Sequence, residues 1–73
     1  MAVTDLQIRF GQRLRDVRTK QGVSQEKLAA DAGLHRTYVS SVERGERNIS
    51  LMNIHRLALA LGVRMRDLIP KGE

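Results

Sequence analysis

This sequence predicts an all-α fold of five short helices. Three observations carry the expectation. Apolar residues recur every three or four positions along nearly the whole chain. Serines and glycines punctuate that pattern where helices should start and stop. The one proline, Pro70, stands three residues from the end, and no stretch alternates apolar with polar as a half-buried strand would.

Leu6, Phe10, Leu14 and Val17 lie on one face of a first helix over about residues 5–20. Gln21-Gly22 ends it, because glycine takes the left-handed conformation of a helix C′ position without strain. Three later starts share one arrangement: Val23-Ser24 before Leu28, Leu34-His35 before Val39, and Ile49-Ser50 before Ile54. Each sets an apolar residue before the cap against another five positions on, the spacing of a hydrophobic staple. Ser24 and Ser50 are good caps, since a hydroxyl accepts from the free amides of the first turn. Neither completes a capping box, because Lys27 and Asn53 follow three residues later. His35 is a poor cap by propensity. Gly33, Gly45 and Gly62 are the stops, so helices are expected at about 24–32, 35–44 and 50–61. In the last, Leu51, Ile54, Ala58 and Leu61 form a stripe that Leu57 widens. A fifth helix at about 64–69 holds Met65, Leu68 and Ile69, although Arg64 stands where a serine or threonine cap would serve better.

A chain of 73 residues is expected to be one domain, spanning 1–73. A core of this size contributes only about 3–5 kcal/mol unaided. There is no cysteine, so disulfides and thiolate zinc sites are excluded, and the lone His35 and His55 do not make a metal site. Close helix packing, aided by dimerisation, is the remaining source of stability. Met1-Ala2-Val3-Thr4-Asp5 has neither the basic nor the apolar part of a signal peptide, and no apolar run approaches the ~20 residues of a membrane span. A cytoplasmic location without membrane contact is the expectation. The net charge is +5, carried mostly by arginine. Guanidinium matches phosphate geometry, so the balance points towards a polyanionic partner.

The stretch Gln25–Arg44, QEKLAADAGLHRTYVSSVER, is the informative one. It reads as two short helices joined by a tight turn. Ala29 is small where the second helix must come close, and Gly33 suits positive φ in the turn. Leu28, Ala32, Leu34, Val39 and Val42 share one interior. A steep helix pair with glycine in its turn is a helix-turn-helix. With Val39 and Val42 inward at about 100° per residue, Thr37, Ser40, Ser41 and Arg44 point outward, and Arg36 lies at the flank near the helix start.

SQEKLAADAG, HRTYVSSVERGERN and SLMNIHRLALALGV, in this order and spacing, resemble the Cro and phage-repressor (Xre-type) helix-turn-helix family over about residues 8–69. The run RTYVSSVERGERN and the short length look most like the controller proteins of restriction–modification systems. The resemblance implies a five-helix, repressor-type DNA-binding domain whose third helix enters the major groove of double-stranded DNA. It implies operators upstream of the controller's own and the endonuclease genes, with activation at low dose and repression at high. An activating arrangement adds a contact with RNA polymerase.

The base-facing candidates are then Arg36, Thr37, Ser40, Ser41 and His35. Arginine can bridge the two acceptors of guanine, and Thr37 offers a hydroxyl and a methyl. His35 is open to a base, a phosphate or a capping role. The phosphate-facing candidates are Gln25, Tyr38, Arg44, Arg47, Asn48 and Arg13. Gln25 is placed by the resemblance and opens a helix whose free amides suit an anion. Arg47 and Asn48 lie in the loop that the family lays along the backbone. Arg13 is equally a solvated helix residue. Tyr38 either covers the core edge or also meets a phosphate. The resemblance also pairs Arg18 with Glu43, holding the reading helix at its angle.

One reading helix covers few base pairs, so a homodimer on a palindromic operator is expected. Met52, Leu59, Met65 and Ile69 are candidates for its seam, in line with the family's use of its last two helices. A protein-interaction module on the same fold, such as an antitoxin or co-activator, is the alternative. An enzyme is not expected, because no nucleophile, base and orienting group come together and no metal spacing occurs. No cofactor is expected.

Overall fold

The computed structural model describes residues 4–71, and five helices make up its architecture. They are α1 (Asp5–Lys20), α2 (Gln25–Ala32), α3 (Arg36–Glu43), α4 (Leu51–Leu61) and α5 (Met65–Leu68). Among the described residues there is no strand. Helix α3 packs on α1 and α2, α4 on α2, and α5 closes the layer against α4 and α1. Phe10, Leu14, Leu28, Val39, Val42, Leu57, Leu61 and Leu68 meet in one core.

The ends of the helices show how local chemistry sets the path. Ser24 and Ser50 accept from the amides of Lys27 and Asn53. Thr4 does the same for Gln7, whose side chain accepts in turn from the Thr4 amide, a reciprocal capping box at the start of α1. His35 caps α3 with backbone alone. At α5 no cap hydroxyl is present, and Asp67 reaches back to accept from the Arg64 amide at 2.9 Å. Gly33 and Gly62 end α2 and α4 at φ values of +72° and +67°.

Two residues of the expected core stripes are not in the core. Leu6 is 58% and Leu51 74% exposed. Both lie in the first turns of their helices. Leu6 instead borders a surface hollow of about 140 Å³ shared with Phe10, Ile49, Ile54, Ile69 and Pro70. Conversely, Gly11 is a buried contact that helical periodicity does not reveal. A Cβ there would stand 2.4 Å from the Val42 carbonyl oxygen and 2.6 Å from that of Glu43. The absent side chain lets α1 lie against the last turn of α3.

Candidate nucleic-acid interface

The α2–α3 turn is built from backbone and one glycine. After Ala32 the chain enters the left-handed region at Gly33, and the Leu34 amide donates back to the Ala29 carbonyl at 2.9 Å. Ala29 is 2% exposed, which lets the second helix cross closely. Val39 and Val42 are buried, which leaves the opposite side of α3 facing solvent, with Arg36 and Thr37 exposed in its first turn.

A buried ion pair fixes that helix from behind. Arg18 Nε donates to Glu43 Oε2 at 2.6 Å and Arg18 Nη2 to Oε1 at 3.0 Å. The side chains are only 11% and 3% exposed. The third guanidinium nitrogen donates to the Val23 carbonyl, and Gln25 Nε2 donates to Glu43 Oε1 at 2.9 Å. Among the described residues no buried side-chain nitrogen or oxygen lacks a partner. The hydrogen bond to Glu43 outweighs burial and raises the Arg18 pKa above its already high ordinary value. A fully bonded pair of this kind links the end of α1, the start of α2 and the end of α3.

The α3–α4 loop folds over the far side of α3. The Glu46 amide donates to the Ser41 carbonyl at 3.0 Å. Arg47 Nε donates to Ser41 Oγ at 3.0 Å, and the Arg47 guanidinium lies 5.5 Å from the centre of the Tyr38 ring. Tyr38 is half-buried against the core, and its hydroxyl accepts from Asn53 Nδ2 at 3.0 Å.

A family model described as helix-turn-helix matches residues 14–68. The chain belongs to the Xre-type helix-turn-helix family. It is 50% identical over 66 residues to control protein C.BamHI of Bacillus amyloliquefaciens, spanning 89% of this chain and 82% of that protein. It is 43% identical over 67 residues to control protein C.MunI of a Mycoplasma species, spanning 90% of each. The crystal structure of the restriction–modification controller protein C.AhdI from Aeromonas hydrophila superposes with a TM-score of 0.84 at 56% identity, covering 85% of this chain and 94% of that one. Like the rest of its family, this helix-turn-helix protein is a DNA-binding regulator of transcription and not an enzyme.

Within the helix-turn-helix frame, the residues expected at the DNA divide into three groups. His35, Arg36, Thr37, Arg44, Arg47 and Asn48 are exposed on α3 and the loop after it. Arg36 makes one exposed contact with Glu26, 3.3 Å away. Gln25, Tyr38 and Ser40 are half-buried.

Ser41 needs correction, and Arg13, still exposed, has a partner that its helix position does not reveal. Ser41, expected to face outward, is 6% exposed; its hydroxyl donates to the Tyr38 carbonyl and accepts from Arg47. The helical angle was outward, but the loop closes over it. Arg13 donates from Nε to the Asp67 carbonyl at 2.7 Å, so its guanidinium ties α1 to α5. Of the seam candidates, Met52, Leu59 and Ile69 are 60%, 67% and 45% exposed. Met65 is half-buried on the core, which removes it as a free apolar residue. Leu51, expected in the core stripe of α4, is more exposed than any of these.

Sequence reasoning also missed the bonds Gln25–Glu43, Asn53–Tyr38 and Arg44–Glu46. Only the last had a local signal, a glutamate two positions after an arginine in the same loop. Among the described residues no helix is long and apolar enough to cross a membrane, and no acidic, histidine or cysteine cluster is arranged to hold a metal.

Proposed function

We propose that the chain is a controller-type regulator that binds a twofold-symmetric operator as a homodimer. One observation carries this reading. A reading helix with exposed Arg36 and Thr37 at its start is clamped from behind by the buried Arg18–Glu43 pair. Such a frame keeps the exposed face of the helix at a fixed angle for entry into the major groove. Arg36 reads a guanine, Thr37 and Ser40 contact neighbouring base edges, and His35 lies at the entry. The Gln25 amide at the start of α2, Tyr38, Arg44, Arg47 and Asn48 line the phosphate path. Because the Gln25 side-chain nitrogen is bonded to Glu43, a phosphate at that position would press on the ion pair itself.

The seam falls on α4 and the end of α5, where Leu51, Met52, Leu59 and Ile69 form the exposed apolar set. Likeness to C.BamHI and C.MunI, named as control proteins, and to C.AhdI, named as a restriction–modification controller, supports the controller reading; an activating role would add a contact with RNA polymerase.

The test is recovery of genome fragments by the purified protein at about 150 mM salt, followed by sequencing. The expected result is a palindrome with half-sites about 10–11 base pairs apart, or a multiple of that. Salt-sensitive recovery without a motif would instead favour a protein-interaction role for the apolar face. Leu59→Glu should give a folded monomer by sedimentation and weaken operator binding by more than about 1 kcal/mol. An unchanged dimer with this variant would move the seam off α4.

A further inference from the structure

The outer end of the reading helix carries an ion pair that contact with DNA must disturb. Arg44 follows the last residue of α3, on the side that presents Ser40. Its Nε and Nη2 donate to the two carboxylate oxygens of Glu46 at 2.9 and 3.1 Å, and Nη1 donates to Ser40 Oγ. The two charged side chains stay 56% and 52% exposed. The backbone of Glu46 is anchored, since its amide donates to the Ser41 carbonyl, so the carboxylate is presented to Arg44 and does not drift with the loop. A guanidinium fork that grips a carboxylate with two parallel bonds offers the same geometry to a phosphate.

We infer that Glu46 is an internal stand-in for DNA phosphate, which holds the Arg44 guanidinium in the free protein and yields it to the backbone on binding. This rests on the DNA-binding reading above. Exposure makes the exchange easy, because a solvated ion pair favours its closed form only about two- to fivefold. The exchange also releases the Ser40 hydroxyl, which in the free protein accepts from Arg44. Glu46 thereby sets overall affinity: it taxes every duplex alike, because phosphate contacts carry no sequence. With Arg44 available only in the open fraction, removing the competitor strengthens binding by about three- to sixfold. A carboxylate left beside DNA also retains a cation, so its removal steepens the salt dependence by up to about one unit of log–log slope.

The test is a double-mutant cycle of wild type, Glu46→Gln, Arg44→Ala and the double variant. Each is titrated by fluorescence anisotropy with a mixed-sequence duplex of about three helical turns at several salt concentrations. Glu46→Gln is expected to tighten binding about three- to sixfold in the wild-type background, and to tighten it clearly less once Arg44 is alanine, where only the removed repulsion remains. A gain that persists undiminished in the Arg44→Ala background would mean plain repulsion of DNA by Glu46 and would overturn the exchange. So would a Glu46→Gln variant indistinguishable from wild type. A wild-type protein with no salt-dependent duplex binding would overturn the DNA-binding reading itself, together with the exchange built on it.

Discussion

The last residues of α3 hold two arginine–glutamate pairs of the same chemistry and opposite consequence. Glu43 turns inward to Arg18, and its side chain is 3% exposed. Arg44, its neighbour, turns outward to Glu46, and both partners are about half exposed. Each pair is gripped through two nitrogens. Away from water, neither Arg18 nor Glu43 has solvent to replace its partner, so the pair acts as a fixed joint. In water, each ion of the outer pair has ready substitutes, so it acts as a contact that can be exchanged. The same recognition geometry gives rigidity on one side of a helix and availability on the other. What separates them is desolvation.

The largest expected effect tests the inner pair. Glu43→Ala leaves Arg18 buried without its partner, at a cost of about 3–5 kcal/mol, comparable with the whole stability of a chain this size. A urea melt should show partial or complete unfolding in water; an unchanged midpoint would break the comparison by placing both pairs in the exchangeable class. Next comes the packing that seats the inner pair. Gly11→Ala drives a methyl into the carbonyls of Val42 and Glu43 and should cost about 2–3 kcal/mol despite alanine's better helix propensity. A melting temperature equal to or above wild type would show that α1 can move off α3 freely.

Arg36→Ala probes the outer face alone. It should leave the melting curve within about 0.5 kcal/mol of wild type, weaken the selected operator by about 1–3 kcal/mol, and relax one base position. Equal loss on random duplex would assign Arg36 to phosphate.

The smallest effect sharpens the contrast through pH. The hydrogen bond from Arg44, helped by the charges of Arg44 and Arg47, holds the Glu46 carboxyl below its ordinary value of 4.5. A carboxyl held low in the folded chain contributes stability above the unfolded value and loses it as pH falls through the folded one. The melting difference between wild type and Glu46→Gln should therefore be slight at neutral pH, begin to shrink as the pH falls below about 4.5, and vanish once it has passed through the lowered folded value. A difference that grew on acidification would reverse the sign assigned to this pair.

Much of this protein was legible one helix at a time. The caps Ser24 and Ser50 and the stops Gly33 and Gly62 place both ends of α2 and α4 within one residue of where they lie. Those signals act within a turn of chain, through an amide and a hydroxyl or through positive φ, so they need no tertiary context. Exposure was legible where it follows from the helix's own core face, as at Arg36 and Thr37. It was illegible where another segment decides. Ser41 has an outward helical angle, yet the following loop covers it. Arg13 has a solvated helical angle, yet α5 supplies a carbonyl. Leu6 and Leu51 have inward angles, yet both side chains stay exposed.

By itself, then, the sequence determined the five helices, the glycine-bearing turn that makes two of them a reading unit, and the positive charge that suits it to DNA. Periodicity, capping and net charge are properties of neighbours along the chain or of the chain as a whole. Only the tertiary structure decided which Arg–Glu pair is buried, which serine is covered and which apolar residues stay exposed. Burial depends on what arrives from elsewhere to displace water, and for Arg18 and Ser41 the arriving groups are Glu43 and Arg47. Those meetings are set by how the helices pack, through contacts such as the bare face of Gly11.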